Sequence, residues 1–184
     1  MSVSISRLSI PGAFVAEPVC FRDRRGWFFE SWRESDYAAA GVTEPFVQDN
    51  LSSSVEGVLR GLHYQAEEAQ GQMVTIVAGR VFDVLVDLRR SSPTFGRHES
   101  FVLEDAAPRQ LYMPPGVAHG FCVLSDVAVL SYKCTKYYNA VMERGVRWND
   151  PDLAIHWPVV EPILSPRDMA YPLLRDSLDS DLPN

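Results

Sequence analysis

The chain has 184 residues, of which 46% are hydrophobic and 22% are charged. These values are ordinary for a globular protein of one domain, and they provide enough apolar material for one substantial core. The 17 basic and 24 acidic residues give a formal net charge of −7. Because nucleic-acid binding depends on neutralising phosphates, this balance argues against nucleic acid as the main partner. A local group of arginines can still hold a small anion such as pyrophosphate.

The sequence carries no targeting or membrane signal. No basic segment followed by an apolar run stands at its start, and no apolar stretch is long enough to cross a bilayer. The three cysteines, Cys20, Cys122 and Cys134, are odd in number and lack the spacing of metal ligands. Cys122 and Cys134 lie in apolar segments, which predicts buried free thiols. Together these features predict a cytoplasmic protein.

In chain order, the first predicted element is a helix from Trp32 to Ala40, which ends at Gly41. Strand patterns dominate after it, separated by turn residues. The segment from Ser165 to Asp168 has the pattern of a second helix start, with a capping serine, a proline in the first position and an acid three residues after the cap. The predicted strands cover residues 73–78, 81–88, 99–103, 110–113, 120–124 and 127–135.

Many short strands, spaced by roughly 8–12 residues, indicate an all-β sandwich, barrel or jelly roll. The strand at 81–88 alternates, with Asp83 and Asp87 on one face and apolar residues on the other. No repeat or linker divides the chain, so the sequence predicts a single domain over residues 1–184. Its polar end, from about residue 177 to residue 184, is expected to be frayed.

Two strand-like segments, residues 57–65 and 114–121, each carry a histidine, His63 and His119. A metal site in a small barrel normally needs a second close histidine, as in His-x-His, together with a carboxylate. The residue two positions after His63 is Gln65, a poor ligand, so no metal site is predicted. Two interpretations of these histidines remain open: a satisfied structural group, or proton transfer and ligand binding.

The placement of Arg60 relative to His63 depends on the residue between them. On a regular strand the two side chains would point to opposite faces. Gly61 can mark a β-bulge that turns one of them to the other face. Arg60 otherwise stands in an apolar strand, where it is either a solvated surface charge or part of a binding site.

Other polar and aromatic side chains share faces in the predicted strands. Gln48 and Asn50 lie on one face, and amides that point into a barrel need partners that a ligand can supply. Tyr132 and Tyr138 also face one side if they stand on one regular strand, where they are either core residues or site residues. Asp168 is either a helix cap or a functional acid.

Several stretches of the chain, which contain the residues named above, resemble the dTDP-4-dehydrorhamnose 3,5-epimerases, the RmlC-type sugar-nucleotide epimerases. The most specific motif is Gly-Val-Leu-Arg-Gly-Leu-His-Tyr-Gln at residues 57–65. The resemblance runs in the family's order from about residue 8 to residue 174. The other matching stretches are Arg25-Gly26 with residues 28–30, then residues 46–50, 81–89, 92–96, 116–121, 132–135, 148–151, 155–158 and 164–168.

The resemblance implies an all-β fold, a cupin-type double-stranded β-helix or jelly roll, with a few short helices. It implies a homodimer that exchanges N-terminal strands, and it implies a reaction without a metal or other cofactor. The activity it implies is epimerisation at C3 and C5 of a dTDP-4-keto-6-deoxyhexose, which converts dTDP-4-dehydro-6-deoxyglucose into dTDP-4-dehydrorhamnose through an enolate.

The resemblance also implies roles for individual residues. His63 is the expected base, Asp168 its orienting partner, and Tyr132 the acid that returns a proton to the opposite face of the sugar. Tyr138 is expected to stack on the nucleobase. Arg25, from either its own chain or the partner chain, is expected to bind the pyrophosphate together with Arg60. The full set of expected substrate-binding residues is Phe21, Arg25, Glu30, Gln48, Asn50, Arg60, Gln72, His119, Tyr138, Glu143 and Arg167.

One position departs from the family pattern. Gln72 stands where the family usually has a lysine that is thought to stabilise the enolate oxygen. An amide donates a hydrogen bond but brings no charge. Two interpretations follow: a tolerated variant in which Arg60 or His119 supplies the charge, or a changed substrate with epimerisation at one carbon only. A CDP-, UDP- or GDP-linked sugar, a non-catalytic sugar-nucleotide-binding module and a metal-dependent enzyme remain as further alternatives.

Overall fold

The computed structural model describes residues 3–178 and 180–183 of the chain, which form antiparallel sheets with short helices between them. The elements, in chain order, are β1 (Val3–Arg7), β2 (Phe14–Pro18), β3 (Cys20–Asp23), β4 (Gly26–Phe29), α1 (Glu34–Ala39), β5 (Gln48–Val55), β6 (Leu59–Gln65), β7 (Gln72–Ala78), β8 (Arg80–Asp87), β9 (His98–Glu104), β10 (Gln110–Met113), β11 (Val117–Val123), β12 (Val127–Cys134), β13 (Glu143–Gly145), α2 (Pro166–Ala170) and a 3₁₀ turn (Leu174–Asp176).

Two of the sheets enclose the main core. The six-stranded sheet has the order β1-β2-β10-β7-β12-β5, and the five-stranded sheet has the order β13-β6-β11-β8-β9. Residues from both sheets meet in one apolar cluster that includes Val74 and Leu130 from the first sheet and Leu85, Leu103 and Phe121 from the second. The all-β prediction is therefore confirmed. Strands β3 and β4 form a separate two-stranded sheet.

Strand β8 is buried on both faces. Val84 and Val86 belong to an outer cluster that also contains Leu153 and Val146. Leu85 belongs to the core between the sheets. The outer surface that would otherwise meet water is thus covered by the chain that follows β13. The face with Asp83 and Asp87 is the inner one, and both carboxylates are fully buried, so the strand's polar side belongs to the interior.

The predicted helices occur, with one shorter than expected. Helix α1 covers Glu34–Ala39, because Arg33 adopts an extended conformation and serves as its N-cap residue. Helix α2 begins as the sequence predicts: Ser165 is the N-cap, its hydroxyl accepts a hydrogen bond from the Asp168 N–H, and Pro166 occupies the first turn. None of the helices within the described residues is long and apolar enough to span a membrane.

The end of the described chain packs on the barrel. Arg144 forms an ion pair of 2.9 Å with Asp181, and the Arg90 N–H donates to the Pro183 carbonyl at 2.9 Å. Leu182 packs against the outer apolar cluster. Residues 181–183 therefore contact the barrel, while Asp179 and Asn184, which also belong to the segment expected to be frayed, lie outside the described residues. Cys122 and Cys134 are buried free thiols, as predicted.

A buried carboxylate organises the turn after β8. Asp87 accepts hydrogen bonds from the Arg89 guanidinium at 2.9 Å and from the hydroxyls of Ser92 and Thr94, each at 2.6 Å. Burial raises the pKa of Asp87, but these donors and the Arg89 N–H together lower it by more, so that the net pKa is about 2. Asp87 is therefore ionised at neutral pH and holds the turn by charge-assisted hydrogen bonds.

We expect Asp87→Asn to lower the free energy of unfolding at pH 7 by about 2 kcal/mol, because the folded pKa lies about two units below the unfolded value. Since the folded pKa is depressed, the stabilisation is complete above about pH 4 and is lost as the pH falls towards 2. Urea titrations at pH 7 and at low pH measure this difference. Asp49→Asn, at an exposed carboxylate paired with Lys133, is the control and should change little. Equal losses in both variants would contradict the assignment.

Candidate active site

A cavity of about 600 Å³ opens between the two large sheets. Strands β5, β7 and β12 of one sheet and β6 and β11 of the other line it, together with the chain after β12 and the start of α2. A cavity of this size accommodates an organic ligand. The candidate residues that line it are Gln48, Asn50, Arg60, His63, Gln72, His119, Tyr132, Tyr138, Glu143, Arg167 and Asp168.

A bulge in β6 brings Arg60 and His63 to the same cavity. His63 pairs with His119 across the strands and Arg60 pairs with Phe121, so three steps along β6 match two steps along β11. Gly61 lies in this bulge with φ +120° and is joined to Leu62 by a cis peptide bond. A Cβ at Gly61 would lie 2.5 Å from the Cα of Gly120. The bulge predicted at Gly61 is therefore present, and only glycine fits the close approach of the two strands.

His63 is held by a buried carboxylate. Its Nε2 lies 2.5 Å from Oδ1 of Asp168, which is 3% exposed. The carboxylate reaches β6 because Ile163 forms a parallel bridge with Val58 and places the start of α2 beside that strand. Ser165 donates its hydroxyl to the other carboxylate oxygen of Asp168 at 2.6 Å. Asp168 thus belongs to the helix start and contacts the imidazole as well.

The carboxylate of Asp168 is ionised at neutral pH. Burial raises its pKa, but the hydrogen bonds with His63 and Ser165, together with a weaker one from the Gly61 N–H, lower it, and the net pKa lies below the usual value. An ionised carboxylate next to Nε2 keeps the proton on that nitrogen. Nδ1 has no hydrogen-bond partner within residues 3–178 and 180–183, so it is the ring nitrogen that can accept a proton from a ligand.

Tyr132 faces the cavity from the opposite sheet. It stands on β12, paired with Asn50 of β5 on one side and Val74 of β7 on the other. Burial raises the pKa of its phenol, the neighbouring Cys134 and Tyr138 add to this, and Arg60 lowers it, with a net rise. The phenol is therefore protonated at neutral pH and can donate a proton or a hydrogen bond.

A second histidine–carboxylate pair lies beside the first. Nε2 of His119 is 2.9 and 3.0 Å from the two oxygens of Asp83. His119 is the direct cross-strand neighbour of His63, so two imidazoles stand side by side on paired strands. No local pattern of the sequence pairs Asp83 with His119, although the alternation in β8 places Asp83 and Asp87 on one face of the strand.

Amide side chains line another part of the cavity. Gln48 donates to Asn50 at 3.0 Å and accepts from the Tyr138 N–H at 2.9 Å. Gln72 donates to Gln70 at 3.3 Å. The side-chain oxygen of Ser52 is buried and has no hydrogen-bond partner in the part of the chain that the structure describes. These groups present donors and acceptors that a polar ligand can satisfy.

At the mouth of the cavity, the ring of Tyr138 lies next to two charged side chains. Tyr138 donates its hydroxyl to Glu143 at 2.8 Å, and Glu143 forms a close ion pair with Arg167. Tyr138 does not stand on the strand of Tyr132, because β12 ends at Cys134. The two rings reach one cavity because the chain after β12 crosses its mouth. Tyr132 and Tyr138 therefore do not share a strand face, because the one regular strand that this requires does not extend to Tyr138.

Similarity to known proteins identifies the family of this chain. A family model described as dTDP-4-dehydrorhamnose 3,5-epimerase matches residues 7–176. A dTDP-4-dehydrorhamnose 3,5-epimerase of Shigella flexneri is 48% identical over 91% of this chain and 93% of its own. The chain belongs to the dTDP-4-dehydrorhamnose 3,5-epimerase family. It is an epimerase, of the isomerase class.

Two solved structures are similar over nearly the whole fold. The 3,5-epimerase RmlC of Legionella pneumophila, in complex with dTDP-4-keto-L-rhamnose, is 45% identical with a TM-score of 0.95, and the match covers 99% of this chain and 98% of that one. ChmJ of Streptomyces bikiniensis, a 3′-monoepimerase in complex with dTDP-quinovose, is 38% identical with a TM-score of 0.86, covering 91% and 86%. The cupin-type β fold expected from the resemblance is confirmed.

Three candidate residues of this epimerase do not reach the cavity of their own chain. Phe21 and Arg25 lie on the β3–β4 hairpin, where Phe21 is 64% exposed and Arg25 pairs with Asp23. Glu30 follows β4 and pairs with Arg33. The hairpin also exposes Phe28. These residues are separate from the other candidates because β3 and β4 pair only with each other among the described strands.

No group of three or more His, Cys, Asp or Glu side chains within the described ranges is arranged to hold a metal ion. Three further residues belong to the site although no local pattern marks them as site residues. Gln70 supports Gln72, Ser52 lines the cavity, and Asp83 holds His119. Strand alternation places Asp83 on the inner face of β8, but its partner His119 stands on another strand.

Gly61→Ala tests the bulge that places both Arg60 and His63. We expect it to lower the free energy of unfolding by about 1–3 kcal/mol more than Gly57→Ala, because β6 and β11 must separate. Gly57 is the matched control, since its φ is +75° but a Cβ there meets nothing within 4 Å. Denaturant unfolding measures both variants. Equal losses would show that backbone conformation alone, not the strand contact, requires glycine.

Proposed function

We propose that this epimerase inverts C3 and C5 of a dTDP-4-keto-6-deoxyhexose, converting dTDP-4-dehydro-6-deoxyglucose into dTDP-4-dehydrorhamnose. The observation that carries the proposal is the placement of His63 and Tyr132, which reach one cavity from opposite sheets. Inversion needs a base on one face of the sugar and an acid on the other. The similarity to RmlC of Legionella pneumophila, crystallised with dTDP-4-keto-L-rhamnose, supports the substrate.

The C4 ketone makes the proposed reaction possible. The hydrogens on C3 and C5 are acidified because their removal leaves an enolate whose charge lies on the C4 oxygen. His63 takes one proton through Nδ1, and Tyr132 returns a proton to the opposite face of the same carbon. A positioned acid or base contributes about 10²–10⁴-fold, and a donor at the enolate oxygen about 10²–10³-fold.

The hydrogen bonds of His63 suit it to the role of base. Asp168 accepts from Nε2, which fixes the neutral tautomer and leaves the Nδ1 lone pair towards the cavity. When Nδ1 takes a proton, the ionised carboxylate stabilises the imidazolium. Tyr132 suits the role of acid because burial, with its neighbours, keeps its phenol protonated.

The enolate oxygen needs a donor, and three residues of the cavity are candidates. Gln72 supplies an amide, one of whose hydrogens is shared with Gln70. Arg60 carries a charge and donates to Ser54 at 3.0 Å. His119 is held by Asp83. We assign Gln72 to the enolate oxygen, at the position where the family usually has a lysine, with Arg60 or His119 as a second donor.

The nucleotide fits the mouth of the cavity. Tyr138 offers a ring for stacking on the nucleobase, and hydrogen bonds with Gln48 and Glu143 hold it in position. Asn50 offers its amide group to the nucleotide. Arg167 stands beside the tyrosine hydroxyl at 3.5 Å, with Glu143 as its partner. We assign Arg60, which also lines the cavity, to the pyrophosphate.

The exposed hairpin supports a homodimer that exchanges its N-terminal strands. Phe21, Arg25 and Glu30 cannot serve the cavity of their own chain from their positions on and after the hairpin, so we assign them to the cavity of the partner. The exposed rings of Phe21 and Phe28 suit such an interface. Each active site would then need both chains.

Four general features belong to the same proposal. The chain acts as a single domain, because the apolar clusters join residues from its start to its end. It acts in the cytoplasm, where its three free thiols stay reduced. No nucleic acid is needed as a partner, and the site residues account for the chemistry without a cofactor.

Solvent deuterium tests the reaction and the two roles together. Turnover of dTDP-4-keto-6-deoxyglucose in D₂O should place deuterium on both C3 and C5, read by NMR. His63→Ala should lower exchange at both carbons by at least about 10²-fold. Tyr132→Phe should lower inversion more than exchange, because the base can return the proton to the same face. Tyr137→Phe, at an exposed ring, is the matched control.

One observation favours a second candidate, a mono-epimerase. Gln72 provides no charge at the expected enolate site, and the chain is also similar to ChmJ, a 3′-monoepimerase. Deuterium at one carbon only, with wild-type protein, would select this activity. Deuterium at neither carbon would reject both candidates and favour a binding module.

Subunit mixing tests the exchanged hairpin. Arg25→Ala and His63→Ala should each be nearly inactive alone, because each removes a group from every site. Refolded together, they should recover about a quarter of wild-type activity, since half of the dimers are mixed and each mixed dimer holds one complete site. No recovery, in a mixture shown by mass spectrometry to contain mixed dimers, would place Arg25 outside the partner's site.

A further inference from the structure

Tyr171 stands directly after α2, three residues beyond Asp168, and its backbone is fixed to the chain after β13. The Arg147 guanidinium donates to its carbonyl at 3.1 Å, and the Arg147 N–H donates to the carbonyl of Pro172 at 2.8 Å. The residue is partly buried and does not line the cavity. Its position is therefore set by contacts behind the site.

The ring of Tyr171 packs against the proposed base. Its centroid lies 5.6 Å from that of the His63 imidazole, with the planes at 66°, an edge-on arrangement. The same ring covers Gly145, the cross-strand neighbour of His63 on β13. A Cβ at Gly145 would lie 2.5 Å from the tyrosine ring. The ring thus occupies space that only a glycine leaves open beside His63.

The hydroxyl of Tyr171 is not what holds the ring in place. Its oxygen is buried and has no hydrogen-bond partner within the described residues. Burial raises the pKa of this phenol to about 12, with Arg167 lowering it and nearby acidic groups and phenols raising it, so it is neutral at working pH. The contact with His63 is therefore one of ring packing.

We propose that Tyr171 is a positioning residue for His63: its ring blocks rotation of the imidazole and shields the His63–Asp168 hydrogen bond from water. This inference rests on the proposed role of His63 as the base. Asp168 fixes Nε2 at one point, which still permits the ring to swing about that bond. The edge-on contact of Tyr171 supplies a second point, and the two together direct Nδ1 at the sugar.

The size of the effect follows from the geometry of proton transfer. The base must hold its nitrogen within hydrogen-bond reach of the carbon-bound proton, and a displacement of about 1 Å can cost about 10²-fold in rate. Within the described residues, no hydrogen bond or ring contact joins Tyr171 to the groups proposed to bind the nucleotide. Loss of the ring should therefore lower kcat and leave substrate binding intact.

Two substitutions separate the ring from the hydroxyl. Tyr171→Phe keeps the ring and should retain wild-type kcat, because the removed hydroxyl has no partner. Tyr171→Ala should lower kcat by about 10–100-fold with KM and the dissociation constant for dTDP changed by less than about 2-fold. Steady-state turnover and calorimetric titration with dTDP measure these quantities. A wild-type kcat in Tyr171→Ala, or parallel losses of kcat and dTDP binding, would overturn the proposal.

A double-mutant cycle tests whether Tyr171 acts through His63. Asp168→Asn and Tyr171→Ala both disturb one imidazole, so their effects on kcat should be less than multiplicative when combined. Multiplicative effects would indicate an independent structural role and would contradict the proposal. Wild-type protein is assayed beside them: if it does not exchange deuterium at C3 or C5, the proposed function fails, whatever Tyr171 does.

Gly145→Ala provides a second test that leaves Tyr171 unchanged. The new methyl group would displace the ring from its place over β13, so kcat should fall as in Tyr171→Ala while dTDP still binds. Adding Gly145→Ala to Tyr171→Ala should produce no further loss, because the ring is already gone. A further fall in kcat in the double variant would show that Gly145 acts without the tyrosine, against the proposal.

Discussion

At Gly61 the backbone of β6 comes so close to Gly120 of β11 that a side chain cannot fit between them. That contact allows the bulge that brings Arg60 and His63 to one face. Without it, strand alternation would direct either the arginine or the histidine out of the cavity. The roles proposed for Arg60 and His63 therefore depend on a close approach of two backbones that only glycine permits.

Two buried carboxylates lie next to the histidines of the site. Asp83 and Asp168 are nearly or fully buried, and each faces a histidine. A carboxylate in such surroundings needs hydrogen-bond partners in place of water. The imidazoles are among those partners, so satisfying the carboxylates also orients the rings. The same hydrogen bonds therefore contribute to the stability of the barrel and to the orientation of the proposed base.

The two sheets divide the proposed chemistry between them. One sheet contributes His63 and the other Tyr132, so the cavity separates base from acid by the fold itself. The hairpin of β3 and β4 stands apart from both sheets and carries the remaining expected ligands. A second chain is the natural source of those groups in the proposal, whereas the proton-transfer pair lies within one chain.

Contiguous stretches of the sequence determined much of this. The alternation of 81–88, the motif around His63 and the helix start at Ser165 are local patterns, and the structure has the strand, the bulge and the capped helix there. The family was likewise readable from motifs in order along the chain, and most candidate residues converge on one cavity.

Only the tertiary structure decided which residues meet. Asp168 contacts His63 across 105 positions, Asp83 pairs with His119, and Tyr171 packs on the imidazole. The path of the chain after β12, not strand register, places Tyr138 near Tyr132. In a β fold, neighbours come from strand pairing and from loops that cross the sheets, and no periodicity within one segment encodes those contacts.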